Sequence, residues 1–187
     1  TLMKSCKNNV EINGPRKAHL VDGIALTKFI HWLENEVDGT KNNYTEISLA
    51  RKLLNFRQRN KDFKGLSFGT ISSLGSNGAV IHYQPEKETD KDLSDNDIYL
   101  LDSGGQYKFG TTDVTRTILN KRDKKPKDFN EISNNYTLVL KGHIAVAASH
   151  FKKGETGKNL DNKARKFLIN NGLNYDHGTG HGVGSYL

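Results

Sequence analysis

The 187-residue sequence predicts an α+β fold in which helices and antiparallel β-hairpins occupy separate stretches of chain. Three observations predict it. Apolar residues recur at helical spacing near the start and again near the end. The middle of the chain switches to short β runs bounded by Gly and Asn-Gly turn signals. The resulting order is helix, helix, hairpin, hairpin, helix, helix and a Gly-rich segment, so the two kinds of element segregate rather than alternate.

Residues 1–14 are polar and read as a linker or the end of a preceding domain. Pro15 is placed to open a helix at its first position. From 17 to 37, Leu20, Ile24, Ile30, Leu33 and Val37 form a helical stripe, and Asp38-Gly39 ends it. Thr45-Glu46 starts a second helix, with Ile47, Leu53, Leu54 and Phe56 for its apolar face and basic residues 57–61 at its C-terminal end. Residues 66–72 then read as a strand, Asn77-Gly78 as a tight turn and 79–83 as a second strand. After a charged loop, 86–97, two more strands are predicted at 98–103 and 111–119. A helix follows over 136–150, with Leu138, Leu140, Ile144, Ala145 and Ala148 as its core contacts. Asn159 or Asp161 caps another helix that runs to Gly172.

Composition excludes several classes. Hydrophobic residues make up 34% of the chain and mean hydropathy is −0.69, but the apolar residues fall in periodic blocks, which argues against disorder. The net charge is +7. Its lysines are scattered among acids, and the densest run, 121–127, contains Asp123 and Pro126 and reads as a solvated loop. No nucleic-acid partner is therefore expected. No run is long and apolar enough to span a membrane, so no membrane association is expected. The single Cys6 permits no internal disulfide, which suits a reducing compartment.

Three features could carry chemistry. Asp102 closes the apolar run Tyr99-Leu100-Leu101, and Asp113 lies in Thr111-Thr112-Asp113-Val114. If the hairpin folds about Tyr107-Lys108, the two carboxylates oppose each other about 5 Å apart, a repulsive arrangement that a divalent cation would relieve. The alternative is a displaced turn that leaves one Asp facing solvent. His177 and His181 lie in His177-Gly178-Thr179-Gly180-His181, where Gly-rich backbone leaves room for a metal or substrate; an ordinary Gly-rich loop is the alternative. His82 follows the Asn77-Gly78 turn and would, in isolation, be a surface or satisfied core residue. Two Asp and one His make a partial metal site, and Glu131 and Glu155 do not complete it.

Taken together, residues 66–73, 77–83, 101–107, 110–117 and 177–184 resemble, in order, the aminopeptidase P (Xaa-Pro aminopeptidase) family of pita-bread metallopeptidases. Residues 16–19 and 141–145 fit as well. The sequence departs from the family at Gly69, where proline is usual, and at Gly105, where alanine is usual. The resemblance implies a curved antiparallel sheet backed by helices, with 15–187 forming part of the catalytic domain. It implies that Asp102, Asp113 and His181 are metal ligands, with Asp113 bridging two divalent ions, most often Mn2+. It implies that His82 and His177 contact substrate or move protons. The activity implied is removal of the N-terminal residue from peptides with proline second, by a water that the two metals activate, in a cytoplasmic enzyme that could form a homodimer. Both chain ends read as cuts. The family's two glutamate ligands are expected beyond Leu187, so the isolated chain is expected to be inactive. A prolidase, a methionine aminopeptidase relative, or a non-catalytic pita-bread binding module are the alternatives.

Overall fold

A computed structural model describes residues 2–37, 44–93, 98–120 and 126–187. The predicted stop at Asp38-Gly39, the end of the 86–97 loop and most of the basic run 121–127 lie outside these. The chain forms two compact units, Thr1–Arg122 with Gly182–Leu187, and Asp123–His181.

In the first unit, a short helix α1 (Leu2–Ser5) precedes the long helix α2 (Asn9–Asn35). Helix α2 starts before Pro15, not at it. Asn8 accepts the Glu11 N–H at 2.9 Å while the Glu11 carboxylate accepts the Asn8 N–H at 3.0 Å. This reciprocal cap satisfies two orphan donors of the first turn and outweighs the signal from Pro15, which sits inside the helix. The buried stripe also differs from the predicted one. It runs through Ala18, Asp22, Ala25, Leu26, Phe29, Trp32 and Leu33, whereas Leu20 and Ile24 are 69% and 52% exposed. Leu33 of the predicted stripe is in the core, and Ile30 and Val37 pack against it; the stripe also includes a charged residue, Asp22, which a count of apolar positions passes over. Helix α3 (Glu46–Gln58) starts where predicted, with Thr45 and Ser48 capping each other, and buries Leu49 and Leu53 completely.

The β region is a three-stranded antiparallel ribbon broken across its middle. Its near half orders β2 (Ile71–Leu74), β3 (Ile98–Ser103) and β6 (Val114–Leu119); its far half orders β1 (Phe63–Leu66), β4 (Gly105–Tyr107) and β5 (Gly110–Thr111). The single strands expected over 66–72 and 111–119 are thus each split at the break. No strand forms over 79–83. A 3-10 turn, Gly75–Ala79, follows β2 instead, because Asn77 turns its amide onto the Glu46 carboxylate rather than into a hairpin.

Strand β3 alternates in burial, with Tyr99, Leu101 and Ser103 on the covered face. Leu26, Phe29, Trp32 and Leu33 of α2 and Leu49 and Leu53 of α3 pack on that face with Leu74, Leu93, Tyr99 and Leu101. The Phe29 ring lies 5.7 Å from Trp32 and 6.5 Å from Tyr99, centre to centre, within the range where tilted aromatic pairs attract.

A buried ion pair joins helices to ribbon. Arg57 on α3 donates Nε to Asp22 Oδ1 at 2.7 Å and Nη2 to Asp22 Oδ2 at 3.0 Å, and Nη2 also reaches Ser103 Oγ at 3.0 Å. Tyr107 donates its hydroxyl to Asp22 Oδ1 at 2.7 Å. Burial alone would raise the Asp22 pKa. The hydrogen bond and charge of Arg57, with hydrogen bonds from Tyr107 and Thr112, outweigh it and hold the carboxyl below the usual range. One carboxylate thereby fastens α2 to α3, β3 and β4.

The second unit holds α4 (Phe129–Ala147) and α5 (Gly157–Ile169). The N-cap position of α5 is Thr156, not Asn159 or Asp161. Leu138, Gly142, Ala164 and Leu168 are the buried residues of the pair. A Cβ at Gly142 would stand 2.1 Å from the Ala164 carbonyl oxygen, so the helices touch along a seam that only glycine permits. Leu140 and Ile144, predicted as core, are 45% and 54% exposed. The contact follows the small residue, which a search for large apolar side chains passes over.

Candidate metal centre and histidine loops

Both carboxylates stand where the ribbon breaks. The hairpin turns one residue later than supposed, at Lys108-Phe109, pairing Tyr107 with Gly110 and Gln106 with Thr111. A one-residue shift of the turn moves the register by two. Thr115 therefore lies opposite Asp102, and Val114 opposite Ser103. Asp113 is two residues along from Asp102's partner, in line with Gly104. The pair is diagonal rather than directly opposed, a spacing of about 7–8 Å between Cα positions in regular sheet.

The break is held by short bonds. Thr112 donates its N–H to the Gly105 carbonyl at 2.9 Å, and Gly105 donates its N–H to Thr112 Oγ1 at 2.8 Å. Ser67 Oγ donates to the Thr112 carbonyl at 2.8 Å. Gly104 fits beneath this clasp: a Cβ there would stand 1.9 Å from the Thr112 carbonyl oxygen and 2.2 Å from Ser67 Oγ. Because backbone is the obstacle, no rotamer change relieves the overlap. Gly104→Ala is expected to cost about 3 kcal/mol or more and to separate the strands that carry Asp102 and Asp113. Urea unfolding checks it; a wild-type midpoint would show the clasp to be unimportant.

Asp102 shares its face of β3 with Leu100, opposite the helix-packed face, and its Oδ1 atom is shielded from solvent. The 3-10 turn lies over this same face, since a Cβ at Gly78 would meet Leu100 Cβ at 3.6 Å. His82 follows it, exposed and with φ of 55°, a conformation uncommon outside glycine. Its neighbours anchor it. Glu46, fully buried, accepts from the Leu74 N–H, from Asn77 Nδ2 at 3.0 Å and from the Tyr83 hydroxyl at 2.6 Å. Burial and this bond to Glu46 push the Tyr83 pKa up, so the hydroxyl stays a donor.

His177 and His181 belong to the second unit. The His177 ring lies 4.7 Å from the Tyr175 ring at 26°. Its Nδ1 is 2.8 Å from the Gly178 carbonyl. A carbonyl only accepts, so Nδ1 carries the hydrogen, and Nε2 of the neutral ring keeps its lone pair. His181 is exposed.

Two carboxylates and a histidine are a donor set that suits a divalent cation such as Mn2+, so the residues fit in kind. Among the described residues, however, no group of three or more His, Cys, Asp or Glu side chains forms a metal site. Sequence reasoning missed Glu46 and Arg165 as supports for His82 and His177. The partners of the Glu46 carboxylate lie 28 to 45 residues away, which leaves no local pattern. The one local signal at Arg165 is Asp161 one turn earlier.

The chain belongs to metallopeptidase family M24, whose model matches residues 14–187. Within that class its likeness is to Xaa-Pro aminopeptidase P. It is 50% identical over 188 residues to a probable Xaa-Pro aminopeptidase P of Podospora anserina, matching 98% of this chain and 26% of that protein. The crystal structure of an X-prolyl aminopeptidase from Caenorhabditis elegans, described as a cytosolic enzyme with a di-nuclear active site, superposes with a TM-score of 0.88 at 45% identity, covering 99% of this chain and 29% of that one. A recombinant prolidase from Thermococcus sibiricus shares the fold, with a TM-score of 0.76 at 24% identity over 98% of this chain and 46% of its own. The aminopeptidase P resemblance and the pita-bread α+β fold are both borne out. The chain spans little more than a quarter of the length of the aminopeptidase relatives.

Proposed function

We propose that this chain supplies part of the active site of a metal-dependent exopeptidase that removes the first residue from peptides with proline in second position. The observation that carries this reading is the ribbon break that sets Asp113, between β5 and β6, diagonal to Asp102 of β3, in a chain half identical to a probable Xaa-Pro aminopeptidase P. Residues 15–187 form part of one catalytic domain in this reading. Asp102, Asp113 and His181 would hold two divalent cations, Mn2+ first among candidates, with Asp113 between them. When bound, such ions supply an activated water and polarise the scissile carbonyl. The chain's own residues orient and protonate. His82 projects from an anchored turn and contacts substrate. His177, with Nδ1 occupied by Gly178, takes a proton at Nε2 and returns it to the leaving amine. Peptides are the partners; a cytoplasmic enzyme, and a homodimer, belong to the same reading.

The test is release of the first residue from an Xaa-Pro-Xaa tripeptide by the full-length protein, with and without Mn2+. Metal-dependent release is expected. Cleavage of Xaa-Pro dipeptides but not of tripeptides would reassign the protein as a prolidase. No release with any divalent metal would make it a binding module.

A further inference from the structure

We infer that Arg165 is the positioning residue of His177, setting the plane of its imidazole through its contact with the Tyr175 ring and through a backbone fork. The inference rests on the role given to His177 above. Arg165 lies on α5 and is anchored by Asp161 one turn earlier, its Nε reaching both carboxylate oxygens at 3.0 and 2.9 Å. From that anchor the guanidinium reaches into the loop after the helix. Nη1 donates to Asn174 Oδ1 at 2.9 Å and to the Tyr175 carbonyl. Nη2 donates to the His177 carbonyl at 2.8 Å. One planar group thus grips the carbonyls on both sides of Asp176.

The same group also lies over an aromatic ring. The Arg165 guanidinium carbon is 3.9 Å from the Tyr175 ring centre, and Tyr175 in turn stacks on His177. Guanidinium, phenol and imidazole are thus in contact in series. The Tyr175 hydroxyl is bonded to Thr179 Oγ1 at 2.6 Å, and Thr179 bonds Asp161, closing the loop back onto α5. Bonding to Thr179, ahead of bonding to Arg165, holds the Asp161 carboxyl below its usual range, so the anchor stays charged. Little else restrains the loop. His177 is exposed, and nothing lies within 4 Å of where a Cβ would stand at Gly178 or Gly180. Arginine alone combines a fork for two carbonyls with a flat face for an aromatic ring; lysine has neither.

The experiment is a double-mutant cycle in the full-length protein on the tripeptide, joined to NMR of the His177 ring. Arg165→Ala is expected to lower kcat about 100-fold, the cost of a misplaced catalytic group, with KM changed by less than about threefold. The double variant Arg165→Ala/His177→Ala is expected to be no slower than His177→Ala alone, because Arg165 acts through that ring. Arg165→Lys restores only a minor part. Independently of activity, the ring-current shift of the His177 resonances disappears in Arg165→Ala and survives in Tyr175→Phe. If Arg165→Ala does not fold, Tyr175→Leu, which spares the fork, shows the same kcat loss and the same spectral change. Unchanged His177 resonances, or kcat losses that multiply in the double variant, overturn the inference. A wild-type protein that cleaves no peptide defeats the proposed function instead, and the resonances alone then decide the placement. A fully active His177→Ala defeats the role of His177 and the catalytic half of the inference with it.

Discussion

Asp113→Ala is expected to lower metal-dependent release of the first residue by about a thousand-fold or more, roughly 4 kcal/mol of transition-state stabilisation. Asp113 sits in the gap between β5 and β6, and the bonds that keep the gap closed belong to Thr112, Gly105 and Ser67. The substitution removes a negative charge and two candidate ligand oxygens and keeps Thr112, Gly105 and Ser67, whose bonds close the gap. Asp113→Asn keeps the shape and one neutral oxygen and is expected to fall between the two. Tripeptide turnover beside bound-metal content measures the effect. A folded Asp113→Ala protein with activity within about tenfold of wild type would remove Asp113 from the site.

Arg57→Leu is expected to cost the fold about 3–5 kcal/mol, the range for breaking one side of a buried ion pair. The side chains of Arg57 and Asp22 are 0% and 1% exposed. Without the guanidinium, Asp22 keeps the Tyr107 hydroxyl but loses the Arg57 charge, and α3 loses its tie to Ser103. Changing both partners to apolar residues of similar size recovers much of the loss, since no charge is then stranded. The pair also predicts a pH response. The Asp22 pKa is depressed in the fold, so its contribution is full above the unfolded value near 3.8 and is lost as pH falls through the folded value. Thermal unfolding between about pH 5 and pH 2 is expected to show proton uptake in wild type that Asp22→Asn lacks. Equal pH slopes for the two proteins would show that Asp22 is not held charged.

The sequence discloses those parts of the fold that depend on neighbours. Thr45 caps α3 because Ser48 is one turn on, and Asp102 lies near the end of β3 because it follows the apolar run Tyr99-Leu100-Leu101. The carboxylate pair is legible for that reason, although its register is not, since one residue in the turn shifts it by two. What joins distant segments leaves no such trace. Arg57 meets Asp22 across 35 residues and Ser103 across 46, and Tyr107 meets Asp22 across 85. Asp22 reads as an interruption of a helical stripe, yet it is the residue that stripe is built around. Glycines at 104 and 142 look like turn or breaker signals and serve instead as contact surfaces, a use that only the neighbouring backbone reveals.

The clasp at the ribbon break consists of main-chain groups and two small hydroxyl side chains, Ser67 and Thr112. Among the described residues, these bonds involve no large side chain of the Asp102 face. Side chains on that face can therefore vary while the backbone that carries Asp102 and Asp113 stays in place, so the two carboxylates and their surroundings are free to diverge at different rates.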